Sequence, residues 1–178
     1  MYSSGRPVEH VRNDYIEIIK FFEEGWQREK YESVVWMISL GILLEIDDAD
    51  FDRLVRALDQ QQLQDYLIDF LIAYRKPERK ISEQVSFRRY YKGAQETTKL
   101  PKAQAEQRLK KYLEKEWYDN NNDTYWYNNH MNQHDTYFGY WSFEAGAIAK
   151  IMGLDDSSFK DNEYYPCDLV HWKKTRKV

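Results

Sequence analysis

The sequence predicts an all-α protein, a compact bundle of about seven helices with an ordered C-terminal tail. Glycine and proline are scarce, 7 and 4 in 178 residues, whereas an all-β protein needs many tight turns. Apolar residues recur at helical spacing along most of the chain, and no alternating pattern strong enough for a sheet is present. A hydrophobic fraction of 42% in a chain of one-domain length is enough to form a core.

Four helices are predicted in the first 75 residues. The first begins at Val8, keeps its apolar side chains on one face and ends at Gly25. The second, residues 31–46, is apolar almost all round and should be the buried central helix. Asp47 or Asp48 is expected to cap the third. The apolar sides of the third and fourth helices contain Phe51, Leu54, Val55 and Leu58, then Leu63, Tyr66, Leu67, Phe70, Leu71 and Tyr74.

The remaining helices follow a charged break at residues 75–80. A helix with Ile81, Val85 and Tyr90 is expected first, and Pro101 then suits the first position of the next one. Residues 119–135 are rich in asparagine, which favours turns. A last helix should follow a cap at Asp135 or Thr136 and end at Gly153, a position suited to left-handed backbone.

The charge distribution favours a basic protein partner over nucleic acid. The net charge is −4, but residues 1–75 carry 15 acids and 8 bases, residues 76–117 carry 6 acids and 12 bases, and residues 118–170 carry 9 acids and 2 bases. A mainly acidic surface disfavours phosphate binding and speeds encounter with a basic protein. The sequence contains no stretch long and apolar enough for a membrane span and no signal peptide. The single cysteine, Cys167, cannot form an internal disulfide and predicts no zinc site, so we expect a cytoplasmic protein.

Few residues suggest catalysis or metal binding. His130 and His134 have the spacing of two metal ligands on one helix, with Asp119, Asp123 or Asp135 as a conceivable third ligand. Cys167 and His171 are also four apart, but the sequence shows no group that would orient them as a nucleophile pair. No phosphate-binding loop and no serine nucleophile motif is present. A protein without enzymatic activity, cofactor or metal is therefore predicted, and a metal-dependent hydrolase using His130 and His134 is the alternative.

Glu144 is the most unusual carboxylate, because it lies among aromatic and small residues in "YFGYWSFEAGAIAKIMG". The helical spacing places it on the core face with Ala147 and Ile148. A buried carboxylate must be hydrogen-bonded or paired. We therefore interpret Glu144 as a structural group rather than a catalytic one.

The C-terminal third, "YFGYWSFEAGAIAKIMGLDDSSFKDNEYYPCDLV", resembles the C-terminal domain of the PoNi-type immunity proteins. The stretch "WQREKYESVVWMISLGILLEID" is similar to the N-terminal domain of that family. The resemblance implies an N-terminal helical region at 1–75 and a C-terminal helical region at 76–178, packed as one compact unit. The motif residues that would hold the last helix to the tail are Trp141, Glu144, Gly153, Tyr164, Tyr165 and Pro166.

The resemblance implies an immunity protein that binds and neutralises a DNase toxin of the PoNe type, delivered by contact-dependent or type VI secretion. The toxin would offer a basic active-site face, so we expect an acidic contact surface, with no direct nucleic acid and no membrane. A helical scaffold or nucleic-acid binder using the basic helix near Lys99 to Lys115 is a further alternative. The candidate contact residues are Asp47, Asp48, Asp50, Asp52, Asp59, Asp65 and Asp69, or Asp155, Asp156, Asp161 and Glu163.

Overall fold

The computed structural model describes residues 2–25, 31–60, 62–133, 137 and 139–174, with the backbone alone for 22–25. These residues form nine α-helices and contain no strand, so the predicted all-α bundle is confirmed. Seven helices have eight or more residues and two are short. The helices are α1 (Val8–Gly25), α2 (Tyr31–Leu43), α3 (Asp48–Asp59), α4 (Tyr66–Ala73), α5 (Arg88–Thr98), α6 (Lys102–Lys115), α7 (Trp117–Asn120), α8 (Phe143–Met152) and α9 (Cys167–His171).

The central helix is α2, as its sequence predicted. It packs against α3, α4 and α8, and nine of its thirteen residues are buried. The helix α8 also packs against α5, α6 and the short α9. The buried side chains of all these helices form one continuous core that includes Phe51, Leu67, Leu109 and Tyr112. None of the helices among the described residues has the length and hydropathy that a membrane crossing requires.

The helix predicted to contain Ile81, Val85 and Tyr90 is confirmed around Tyr90 and wrong at Ile81 and Val85. Residues 79–87 are irregular, Ile81 is exposed, and α5 begins only at Arg88. The reason is a pair of long-range hydrogen bonds. The Ser82 amide donates to the Asp69 carboxylate, and the Ser86 amide donates to the Asp65 carboxylate. Amides held by distant acceptors do not need a local helix to satisfy them.

Two predicted helix starts also differ from the structure. The third helix has Asp47 at its N-cap position, but the Asp47 side chain makes no capping bond. Its carboxylate instead accepts a hydrogen bond from Lys174. The helix α8 begins at Phe143, well after the predicted caps Asp135 and Thr136, which lie outside the described residues. Its predicted end is confirmed, because Gly153 has φ +59°.

Candidate functional site

Glu144 lies in the first turn of α8 and is fully buried. The hydroxyls of Ser142 and Tyr112 donate to its Oε1 at 2.8 and 2.9 Å. Burial raises the pKa of Glu144, while these donors and the Trp117 indole act in the opposite direction. Its Oε2 makes no regular hydrogen bond. A carboxyl enclosed in this way has no access to a substrate, so its contacts favour the structural interpretation, linking α6 to α8.

Glu32 is a second enclosed carboxyl, and the sequence reasoning missed it. It lies in the first turn of α2 and accepts a hydrogen bond of 2.6 Å from the indole of Trp126. Burial raises its pKa to about 7, and the nearby charge of Glu144 acts in the same direction. The sequence signal was available, since a lone acid opens an otherwise apolar helix. Glu32 therefore titrates near neutral pH inside the fold.

Replacing Glu32 with Gln should flatten the pH dependence of stability. The folded-state pKa of Glu32, about 7, is above the ordinary value of 4.5. The stabilising contribution of Glu32 to folding is therefore fully present below pH 4.5 and is lost as the pH rises through 7. At about 1.4 kcal/mol per pKa unit, the wild type should lose roughly 2–3 kcal/mol relative to Glu32→Gln between pH 5 and 8. Urea unfolding across this range measures the difference. Glu83→Gln at an exposed site is the control, and parallel curves for wild type and Glu32→Gln would contradict the shift.

Two of the predicted contact residues, Asp65 and Asp69, lie inside the protein. Asp65 is 0% exposed and Asp69 2% exposed. Asp65 caps α4 by accepting from the Ile68 amide at 3.1 Å. Asp69 accepts from Arg79 Nε at 2.8 Å. Their carboxylates fasten the irregular segment 79–87 to the core, so we leave them out of any contact surface.

The exposed and partly exposed acids of the same cluster are all ion-paired. Each lies within 4 Å of a basic group, so the negative charge that the sequence concentrates around α3 is largely balanced in space. The pairs are Asp47 with Lys174 and Arg12, Asp48 with Arg75, Asp50 with Arg53, Asp52 with Lys76, and Asp59 with Arg79.

The second acidic cluster differs in this respect. Asp155, Asp161 and Glu163 are exposed, and none of them makes an ion pair with any residue that the structure describes. Asp156 is the exception within the cluster, because it is only 7% exposed and its carboxylate is hydrogen-bonded internally. The segment 154–170 carries five acids and one lysine, so it presents net negative charge.

This surface continues across a groove to the end of α6. A cavity of about 390 Å³ is lined by Glu163 and Tyr164 on one side and by the end of α6 and α7 on the other. Its charged lining residues are Glu114, Lys115, Glu116, Asp119 and Glu163, so acids outnumber bases there by four to one. Like Glu163, Asp119 is exposed and forms no ion pair in the described part of the chain. We call Asp119, Asp155, Asp161 and Glu163 the acidic face.

The structure describes His130 but not His134, the other member of the predicted metal pair, or Asp135, a predicted third ligand. His130 is in a short 3-10 helix, and its Nδ1 lies 2.8 Å from the Tyr140 hydroxyl. Asp123 is held by Arg89 at 2.7 Å. Among the described residues, the one group of three potential metal ligands is elsewhere, at Asp156, Cys167 and His171.

The predicted structural motif lies where α8 meets the tail. The Ser142 amide donates to the Tyr164 carbonyl at 2.8 Å. The hydroxyl of Tyr165 donates to Asp156 at 3.0 Å. Pro166 packs so closely on Gly146 that a Cβ there would approach Pro166 Cγ to 2.7 Å. A further bond joins the Trp141 indole to Ser3 Oγ at 2.7 Å, which links this region to the N-terminus.

Comparison with known proteins gives two matches that together span most of the chain. Residues 63–169 match the family model described as PoNe immunity proteins (PoNi), C-terminal. Residues 1–56 match the model described as PoNe immunity protein (PoNi), N-terminal. No curated protein and no solved structure matches the chain.

Proposed function

The chain belongs to the PoNe immunity protein (PoNi) family, and from this premise we propose that it neutralises a cognate PoNe-type DNase toxin in the cytoplasm by forming a stoichiometric protein–protein complex. The observation that supports a contact surface is the acidic face, whose four carboxylates are exposed and form no ion pair with the described residues. A nuclease that holds polyanionic DNA needs a basic cleft. An acidic surface complements such a cleft and accelerates its capture.

The proposed complex needs no chemistry from this chain. Of the two carboxyls with raised pKa values, Glu144 is fully buried, and Glu32 is partly buried with its Oε1 accepting a hydrogen bond from the Trp126 indole. Tyr118 and Tyr164 border the groove beside the acidic face. Partly exposed tyrosines of this kind are frequent anchors at protein interfaces. The acidic face would therefore attract the toxin, and the tyrosines would supply contact area.

The α3 cluster is a weaker candidate for the same role. Its carboxylates already lie beside Arg75, Lys76 and Arg79, which reduces the field that a partner would meet. The basic helix α6 is likewise poorly suited to nucleic acid. Arg108 is paired with Glu96 and Glu116 at 2.9 and 2.7 Å, so phosphate would have to displace intramolecular partners.

Calorimetry with the cognate toxin, followed by a DNA-cleavage assay on the same mixtures, tests the proposal. We expect nanomolar binding at moderate salt and a linear loss of cleavage that is complete at one equivalent. An unrelated DNase is the control and should keep its activity. Binding without loss of cleavage would overturn the neutralisation proposal, and inhibition far below one equivalent would favour the metal-dependent hydrolase.

A further inference from the structure

The fold brings together three potential metal ligands that are well separated in sequence. Cys167 and His171 are the first and last residues of α9, and their spacing of four places them on one face. Asp156 lies in the turn that follows α8. One donor atom of each side chain, sulfur, ring nitrogen and carboxylate oxygen, lies within 4.8 Å of the other two. The sequence offered no orienting group for the Cys167 and His171 pair, and the fold supplies one in Asp156.

Asp156 is held firmly in place. It is 7% exposed, and the Tyr165 hydroxyl donates to its Oδ2 at 3.0 Å. The His171 Nε2 lies 2.8 Å from the same oxygen. The Asp156 carbonyl accepts from the amides of Phe159 and Lys160 at 2.9 and 2.7 Å. A carboxylate fixed by its own hydrogen-bond partner is the arrangement that orients ligands at metal centres.

We propose that Asp156, Cys167 and His171 form a zinc-binding site that ties α9 to the segment following α8. Thiolate, imidazole and carboxylate are the ligand types that Zn²⁺ takes, with bonds of about 2.0–2.3 Å, and a water completes the four-coordinate shell. Such bonds place ligand atoms about 3.2–3.7 Å apart in a tetrahedral site. The distance of 2.8 Å between His171 Nε2 and Asp156 Oδ2 and the 4.8 Å limit for all three ligand atoms enclose this range. The His171 side chain is 62% exposed, so it can rotate to adjust.

Zinc binding here has a defined proton balance. The Cys167 thiol releases its proton to the solvent as the sulfur–zinc bond forms, and His171 binds through a ring nitrogen that carries no proton. The contact between His171 Nε2 and Asp156 Oδ2 is then replaced by two bonds to the ion.

The charges near Cys167 favour a bound cation. Asp168 and Asp161 add negative charge close to the proposed ligands, with Lys160 opposing them, and such carboxylates attract a divalent ion.

Cobalt titration of the tag-free, reduced full chain tests the site. Co²⁺ replaces zinc, and a thiolate ligand gives a charge-transfer band in the near ultraviolet. We expect this band to saturate at one equivalent and to disappear when Zn²⁺ is added. Cys167→Ser should abolish the band. His171→Ala and Asp156→Asn should each weaken Co²⁺ affinity about tenfold or more.

Two variants serve as controls for this titration. Glu83→Gln changes an exposed acid on the loop before α5, and His130→Ala changes a histidine of the other predicted metal pair; both should titrate like the wild type. Absence of the band in the wild type, or unchanged affinity in His171→Ala, would overturn the site. Because His171 is exposed, that variant remains informative even if Asp156→Asn fails to fold. The test does not depend on toxin binding.

Discussion

Replacing Glu144 with Ala should lower the free energy of unfolding by about 2–4 kcal/mol at pH 5. The substitution leaves a cavity at a fully buried position and removes the acceptor of the Ser142 hydroxyl. Tyr112 is affected less, because its single hydroxyl proton can be donated to the Tyr90 carbonyl, 3.1 Å away, instead. In a chain of 178 residues the expected fall in Tm is roughly 5–15 °C, measured by circular dichroism or calorimetry.

The effect of Glu144→Ala should shrink as the pH rises. Burial raises the folded-state pKa of Glu144, so its favourable contribution is fully present below its ordinary pKa of 4.5 and is lost as the pH rises through the folded value. The Ala variant has no such group to titrate. The gap in unfolding free energy between wild type and variant therefore narrows as the pH rises above the ordinary pKa.

Glu144→Gln removes the ionisable group of residue 144 but keeps nearly the same side-chain size. Its amide oxygen can accept the bonds from Ser142 and Tyr112, but its NH₂ group would occupy the place of Oε2, which has no regular partner. We expect a loss of about 1–2 kcal/mol, smaller than for Ala. A wild-type melting curve for Glu144→Ala at pH 5 would contradict the structural role of this residue.

The sequence predicts best where one local pattern decides the outcome. The helix α2 was identified because it is apolar almost all round. The end of α8 was identified because position 153 is a glycine, and the structure shows the left-handed φ of +59° that favours glycine there. Residues 81–87 were misassigned because their amides bond to Asp65 and Asp69, whose carboxylates approach only in the folded chain. No helical periodicity encodes such distant acceptors.

The same distinction applies to the functional residues. The sequence locates two acidic clusters, but it does not reveal that Arg75, Lys76 and Arg79 neutralise one of them. It contains Cys167 and His171 four residues apart, but only the folded chain shows that Asp156, in the loop that follows α8, lies beside both of them. Pairing in space, rather than composition, distinguishes a surface that presents net charge from one that does not.

Charge reversal on the acidic face should slow toxin association more than any other pair of surface changes. Asp161→Lys with Glu163→Lys replaces two exposed carboxylates that have no ion pair in the described part of the chain. The proposed partner surface is basic, so attraction becomes repulsion at the point of contact. We expect the association rate constant to fall about 10- to 100-fold at low salt, measured by stopped-flow fluorescence.

Two matched variants show whether position or total charge controls the rate. Glu78→Lys with Glu83→Lys makes the same change in net charge on the loop before α5, where both carboxylates are exposed. Asp48→Lys with Asp52→Lys changes the α3 cluster, whose carboxylates are already paired with Arg75 and Lys76. Both should slow association only a few-fold.

The salt dependence and the comparison of the three double variants distinguish steering by the acidic face from an effect of net charge and from contact at α3. Electrostatic steering is screened over about 10 Å at 0.1 M salt, so the wild type and the Asp161→Lys, Glu163→Lys variant should converge as salt increases. An equal slowing by all three double variants would mean that net charge alone accounts for the effect. The largest slowing in the Asp48→Lys, Asp52→Lys variant would move the contact surface to α3. Its ion pairs would then have to open on binding, and Arg75 and Lys76 would be released as the toxin docks.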